Sequence, residues 1–243
     1  MKKQICIFDI DGTLTESGKQ ITNEMTLVLQ KLKLNNIELV AVGGGTYEKI
    51  IWQLKDPLLF DKIFSECGSV YYEKNILIEE KNIIDFCNRN VLNEIIRSAL
   101  INISSLPIIF SGNQIDFRKG LIYISPVGMQ ASEYERLIFI NLDKEEKIRD
   151  SLIEKFKQID VYNEFQIVQG GQVGIAVYLN NWDKSQIMKY FDVKKQKIYF
   201  FGDKVDPNGN DYTLYMYPGI SAFGVSSYHG TINLLTNEFD NLI

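Results

Sequence analysis

Ile5-Cys6-Ile7-Phe8-Asp9-Ile10-Asp11-Gly12-Thr13-Leu14-Thr15 is an apolar run that ends in two carboxylates two residues apart, followed at once by a glycine. An apolar run of this length predicts a strand buried on both faces, as in a parallel sheet covered by helices. The carboxyl end of such a strand is where open α/β sheets bind ligands. An Asp pair there, with Gly12 letting the backbone approach closely, suits a nucleophile beside a proton donor around a hard cation such as Mg²⁺. The competing reading is a plain turn, since Asp-Gly is a common turn dipeptide. The return of the two-carboxylate pattern near the other end of the chain favours a site.

That second stretch is Phe200-Phe201-Gly202-Asp203-Lys204-Val205-Asp206-Pro207-Asn208-Gly209-Asn210-Asp211, led by the apolar residues Ile198 to Phe201. Asp203 closes the strand, Pro207 and Gly209 shape the loop, and Asn210-Asp211 brings further oxygen ligands back towards a cation. Between the two stretches lies Asn181-Trp182-Asp183-Lys184, whose Lys184 is expected to open a helix beneath the acidic cluster and offset part of its charge. A lone lysine is ordinarily solvated, so this expectation depends on the other two motifs.

The 243-residue sequence as a whole bounds the function classes. At 45% hydrophobic and 12% aromatic it can bury a full core, in one large domain or two modest ones. It holds no run of 18 apolar residues and no signal-peptide pattern at its amino terminus, which predicts a cytoplasmic protein without a membrane partner. Three cysteines, Cys6, Cys67 and Cys87, show no paired metal-ligand spacing and read as core thiols. A net charge of -5 and the lack of a basic stripe argue against nucleic acid as a partner.

Along the chain, Asn23 is placed to cap a helix carrying Met25, Val28, Leu29 and Leu32 on one face. A strand from Ile37 to Val42 runs into Gly43-Gly44-Gly45-Thr46 and a helix from Tyr47 to Leu54. Strand and helix in alternation predict right-handed βαβ units and a parallel sheet, a theme that Lys184 to Ile243 repeats with strands at Ile198 to Phe201 and Ser221 to Val225. The middle differs. Short strands are expected at Ile108 to Ser111, Gln114 to Phe117 and Leu121 to Ser125, the last two joined as a hairpin around Arg118-Lys119-Gly120. Asp143 is expected to cap a helix with Ile148, Leu152, Ile153 and Phe156, before a second hairpin of Phe165 to Val168 with Val173 to Leu179. The predicted fold class is therefore α/β, a Rossmann-like parallel-sheet core (1–81 and 184–243) with an inserted α+β cap (82–183) of antiparallel sheet plus helices.

Asp9-Ile10-Asp11-Gly12-Thr13, Lys184 and Gly202-Asp203 with Asn210-Asp211 resemble the signature set of the haloacid dehalogenase superfamily. More narrowly, Asp116-Phe117-Arg118-Lys119-Gly120, Ser125-Pro126-Val127-Gly128, Glu135-Arg136, Gly170-Gly171-Gln172 and Trp182-Asp183-Lys184 resemble the eukaryotic-type phosphomannomutases. The resemblance implies a phosphoryl-transfer enzyme that interconverts hexose 1- and 6-phosphates, mannose foremost. Asp9 would be the nucleophile, Asp11 the acid and base, and Lys184 a charge-stabilising partner. Mg²⁺ would be held by Asp9, the Asp11 carbonyl and Asp203, with Asn210 or Asp211 steadying the shell. Arg118, Lys119 and Arg136 would hold the sugar phosphate, Gly44, Gly45, Thr46 and Gly174 standing at further substrate-binding positions. A hexose 1,6-bisphosphate activator and a homodimer through the cap are implied by the resemblance alone.

The chain departs from the family pattern mainly in the cap. Met129 stands where the family has a second phosphate-gripping Arg, and Gly174-Ile175-Ala176 replaces Ser-Phe-Asp. An early Arg is replaced by Gly18, and the Ser of a Gly-Gly-Ser motif by Gly45. Each charge-assisted contact contributes about 1.5 to 3 kcal/mol, so three losses amount to several orders of magnitude in affinity unless replaced. That keeps open a sugar-phosphate phosphatase, in which water takes the phosphoryl group from Asp9; a third reading, from another class, is a catalytically silent binding protein, against which the intact Asp9, Asp11, Lys184 and Asp203 speak.

Overall fold

The computed structural model describes residues 2–207 and 209–238; Asn208 and the last positions of the closing core segment, 239–243, lie outside the described residues. Its elements in chain order begin with β1 (Lys3–Phe8), α1 (Asn23–Leu34), β2 (Glu38–Val42), α2 (Tyr47–Leu54), β3 (Lys62–Ser65), β4 (Val70–Glu73) and β5 (Ile76–Glu80). Then come α3 (Arg89–Ser104), β6 (Ile115–Phe117), β7 (Ile122–Ile124), α4 (Glu133–Glu146), α5 (Ile148–Ile159), β8 (Phe165–Gly170) and β9 (Gly174–Leu179). The chain closes with β10 (Gln196–Gly202), α6 (Tyr212–Tyr215), β11 (Ser221–Gly224) and α7 (Tyr228–Asn233). It divides into two units, Met1–Glu80 with Asn181–Ile243, and Lys81–Asn180.

The first unit holds a seven-stranded sheet in the order β11-β10-β1-β2-β3-β4-β5, parallel as far as β3 and antiparallel beyond. Strand alternation explains why its central strands read as continuous apolar runs. Ile5 and Ile7 of β1 join Val40, Val42, Ile198 and Phe200 on one face, over Ile187, Met188 and Leu214. Cys6 and Phe8 join Leu39, Ala41, Tyr199 and Phe201 on the other, under α1, α2 and α7. At α1 the cap falls one residue before the expected Asn23: the Thr22 hydroxyl accepts from the Met25 N–H at 3.2 Å, and Met25, Leu29 and Leu32 are buried. The helix expected at Lys184 forms as a 3₁₀ segment, Lys184–Tyr190, capped by the Asp183 carboxylate.

The second unit holds an antiparallel sheet in the order β6-β7-β9-β8. Ile122, Ile124, Ile167, Ile175 and Val177 are buried on one face of it, and α5 packs on β8 and β9 and against α3. Both expected hairpins form, but Ile108 to Ser111 is not a strand. Its backbone bonds instead to a turn, through Ser111 N–H to the Val127 carbonyl and Gln130 N–H to the Ser111 carbonyl, and Ile109 and Phe110 are exposed. Asp143 also differs from its expected place. It lies inside α4, and its side chain crosses to α5, accepting from the Arg149 N–H at 2.8 Å and from Arg149 Nε at 2.7 Å.

Candidate active site

Parallel strands end together, and that geometry assembles the first unit's acidic cluster. Asp9 follows β1 and its N–H donates to the Phe201 carbonyl of β10 at 2.9 Å, while Asp203 follows β10 itself. Asp211 returns through the loop after Asp203, its Oδ2 accepting the Lys204 N–H at 3.1 Å. Oxygens of Asp9, Asp203 and Asp211 lie within 4.8 Å of one another. Gly12, with φ at +96°, makes this approach possible: a Cβ there would stand 2.7 Å from the Asp203 carboxyl carbon.

Lys184 is the counterion. It is 0% exposed, and its ammonium donates to Asp9 Oδ1 and to Asp211 Oδ1, the latter at 2.6 Å. Burial alone would lower its pKa, but Asp211 and Asp9 outweigh that and hold the ammonium above the ordinary lysine value. One positive charge against three carboxylates leaves the cluster anionic. Burial and then Asp211 push the Asp9 carboxyl up to about 7, and burial and Asp211 raise Asp203 as well. Two buried polar atoms of the first loop have no partner, Asp9 Oδ2 and Thr13 Oγ1. Unpartnered buried oxygens are costly unless a ligand meets them. A set made only of carboxylate oxygens is what a hard divalent cation takes, so Asp9, Asp203 and Asp211 fit such an ion. Asn210 is exposed, and its neighbour Asp211 belongs to the cluster.

The Asp11 side chain does not point at this cluster. Its Oδ1 accepts from the Gly18 N–H at 2.7 Å and from Gln53 Nε2 at 2.8 Å, and Lys49 Nζ lies 3.0 Å from Oδ2. Burial alone would raise its pKa, but Lys49, the Gly18 N–H and Gln53 outweigh it and hold the carboxyl below the ordinary range. Lys49 and Gln53 were not among the expected site residues. Their four-residue spacing on α2 puts both on one helix face, which was the available signal. Gly44, Gly45 and Thr46 lie just beyond the carboxyl end of β2, the strand paired with β1, and Thr46 caps α2 by accepting from the Lys49 N–H at 3.4 Å.

The remaining expected residues belong to the second unit. Arg118 follows β6, its Nε 2.7 Å from Asp116 Oδ2 and its guanidinium 5.0 Å from the centre of the Tyr123 ring. Lys119 is exposed in the same turn. Arg136, in the first turn of α4, donates from Nε to the Ala131 carbonyl at 2.9 Å and from a terminal nitrogen to the Met129 carbonyl at 3.3 Å. Gly174 opens β9 opposite Gly170 and beside Tyr123. Burial holds the Tyr123 phenol above its usual pKa against the opposing pull of Arg118, Arg136 and Arg149.

A mostly parallel sheet together with a separate antiparallel sheet is the fold of the haloacid dehalogenase-like α/β proteins. A solved haloacid dehalogenase-like hydrolase from Bacteroides thetaiotaomicron shares this fold, with a TM-score of 0.58 at 16% identity, covering 97% of this chain and 93% of that one. The model of the family described as eukaryotic phosphomannomutase matches residues 25–241. The chain is 35% identical over 240 residues to a phosphomannomutase of Babesia bovis, with 97% of both chains covered. It is 32% identical to phosphomannomutase 1 of Homo sapiens, covering 95% of this chain and 90% of that one. The chain belongs to the eukaryotic phosphomannomutase family.

Proposed function

We propose that this protein is a Mg²⁺-dependent phosphomannomutase, an enzyme that moves a phosphoryl group between the 1- and 6-positions of a hexose phosphate, mannose foremost. The observation that carries this reading, within a chain of that family, is the buried and unpartnered Asp9 Oδ2 beside the Lys184 ammonium. Asp9 Oδ2 attacks phosphorus, an aspartyl-phosphate bond forms, and the bond from phosphorus to the sugar oxygen breaks. Asp11 gives a proton to the departing sugar oxygen. In its ionised form it takes one from the next acceptor hydroxyl when the phosphoryl group leaves Asp9. Lys184 keeps its charge throughout and offsets that of the Asp9 and Asp211 carboxylates. Asp9, Asp203 and Asp211 would hold Mg²⁺, which would neutralise part of the charge on the phosphoryl oxygens.

The second unit is proposed as the substrate-specificity cap. Its Arg118, Lys119 and Arg136 hold the phosphate that is not being transferred. Hexose 1,6-bisphosphate is proposed as the activator that first loads Asp9. A homodimer through the cap and work in the cytoplasm complete the reading; among the described residues no helix is long and apolar enough to cross a membrane.

The test incubates the protein with Mg²⁺ and mannose 1-phosphate, with and without hexose 1,6-bisphosphate. The 6-phosphate isomer should form faster than free phosphate, and the bisphosphate should speed it. Free phosphate released faster than the isomer appears would instead establish a sugar-phosphate phosphatase. No turnover of any phosphomonoester would leave the silent binding protein.

A further inference from the structure

Tyr123 occupies the middle of the second unit's sheet, on the face away from the buried isoleucines. Asp116, Tyr123, Ala176 and Val168 are direct partners across β6, β7, β9 and β8, so their side chains share that face. Gly174 lies two residues before Ala176 on β9 and shares it too, opposite Gly170. The Tyr123 hydroxyl donates to the Gly170 carbonyl at 2.7 Å. A Cβ on Gly174 would stand 2.6 Å from Cε1 of the ring, and one on Gly170 would stand 2.8 Å from Cε2. The ring therefore fills the space that side chains at these two positions would take, and Arg118 packs over it.

The row of Asp116, Tyr123, Ala176 and Val168 carries two polar side chains, and the Tyr123 hydroxyl is already bonded to the Gly170 carbonyl. Its single carboxylate, Asp116, is committed to Arg118. The Arg118 guanidinium packs over the ring, and the positive charges of Arg136 and Arg149 also act on the phenol. Guanidiniums suit phosphate, whereas at 174 and 176 this face has a glycine and an alanine and so no side-chain donor or acceptor for a hydroxyl.

We infer that Tyr123 is the specificity-determining residue of the second unit: its ring, seated against Gly174, replaces hydroxyl-reading side chains with volume. The substrate is selected by its phosphates and ring size, and single hydroxyls contribute little. This rests on the reading above that the unit binds a sugar phosphate. A site that hydrogen-bonds a substrate hydroxyl rejects an analogue lacking it by about 10⁴-fold, whereas apolar contact discriminates by only about 10- to 200-fold.

The experiment measures kcat/KM for mannose 1-phosphate and for its 2-, 3- and 4-deoxy analogues. Each analogue should stay within about tenfold of the parent, and Tyr123→Phe should leave those ratios unchanged. Gly174→Ser should raise KM through its clash with the ring, and adding Tyr123→Ala to that variant should restore it. Ratios between substrates do not move when part of a variant is unfolded. A loss above about 100-fold for any one analogue in the natural chain overturns the inference, as does a Tyr123→Phe variant with changed ratios. So does a Gly174→Ser defect that Tyr123→Ala leaves in place. A protein that hydrolyses aryl phosphates through Asp9 but turns over no hexose phosphate refutes the sugar-phosphate reading, and this inference falls with it.

Discussion

The Lys49 ammonium lies 3.0 Å from Asp11 Oδ2, fixing the proposed proton carrier in its ionised form and away from the acidic cluster. Asp11 must release this contact to act as an acid. Replacing Lys49 with Met removes the charge that, after burial, acts most strongly on Asp11, so the Asp11 pKa should rise towards the ordinary aspartate value. A carbon-13 titration of the Asp carboxyl groups in both proteins checks this. An Asp11 curve that does not move would show that Gln53 and the Gly18 N–H suffice.

Asp9→Asn should separate stability from activity. Phosphoryl transfer should fall by about 10³-fold or more, since an amide cannot serve as the nucleophile. Stability should move the other way in metal-free buffer. The folded-state pKa of Asp9 is raised from 3.8 to about 7, so the natural protein loses stability as pH rises through that window while the amide variant does not. Calorimetry should find the midpoint gap in favour of Asp9→Asn widening between pH 4 and pH 7. A constant gap would refute the raised pKa.

Mg²⁺ should raise the thermal midpoint of the natural protein, because an ion bound only by the folded state stabilises it by about 2.7 kcal/mol at a hundred times its Kd. Asp203→Asn removes one of the three carboxylates that meet within 4.8 Å, and the midpoint should then respond less to the ion. Identical Mg²⁺ responses in the two proteins would place the ion elsewhere.

Glu135 predicts an acid-sensitive element in the second unit. Its carboxylate accepts from Ser111 Oγ at 2.6 Å and from the Ser132 N–H and hydroxyl, both at 2.7 Å. These bonds lower its pKa from 4.5 to about 2. A depressed carboxylate pKa stabilises the fold above the unfolded value, and that contribution is lost as pH falls through the folded one. The midpoint difference between the natural protein and Glu135→Gln should therefore shrink between pH 4.5 and pH 2. A difference independent of pH in that window would reject the role of the charge.

How much of this could be read from the sequence depended on whether each signal was local. The runs in β1, β2 and β10 show themselves because both faces of those strands are buried, and α2 forms at its expected bounds, where the structure adds Thr46 as its cap. The α3 helix was not expected. It buries Leu92, Ile95, Ala99 and Ile103 but also exposes Leu100 and Ile101, which blurs its periodicity. The β5 strand carries no legible pattern for a related reason: as an edge strand it leaves Ile76, Leu77 and Ile78 exposed, without alternation. At the site, Asp9, Lys184, Asp203 and Asp211 stand in the cluster their motifs pointed to. The clamp on Asp11 by Lys49 and Gln53 joins residues 38 and 42 positions apart, a contact only the tertiary fold creates.

The pairing of β1 with β10 sets an order of events at the ribosome. The partner of Lys3 is Gln196, so the central sheet lacks its middle neighbour until most of the polypeptide has been translated. Lys81–Asn180, drawn from one continuous stretch, meets no such delay. The half that carries Tyr123 can thus fold while the half that carries Asp9 is still waiting for its last strands, and a ribosome that stalls before Gln196 leaves the Asp9 strand with an exposed edge for chaperones to guard.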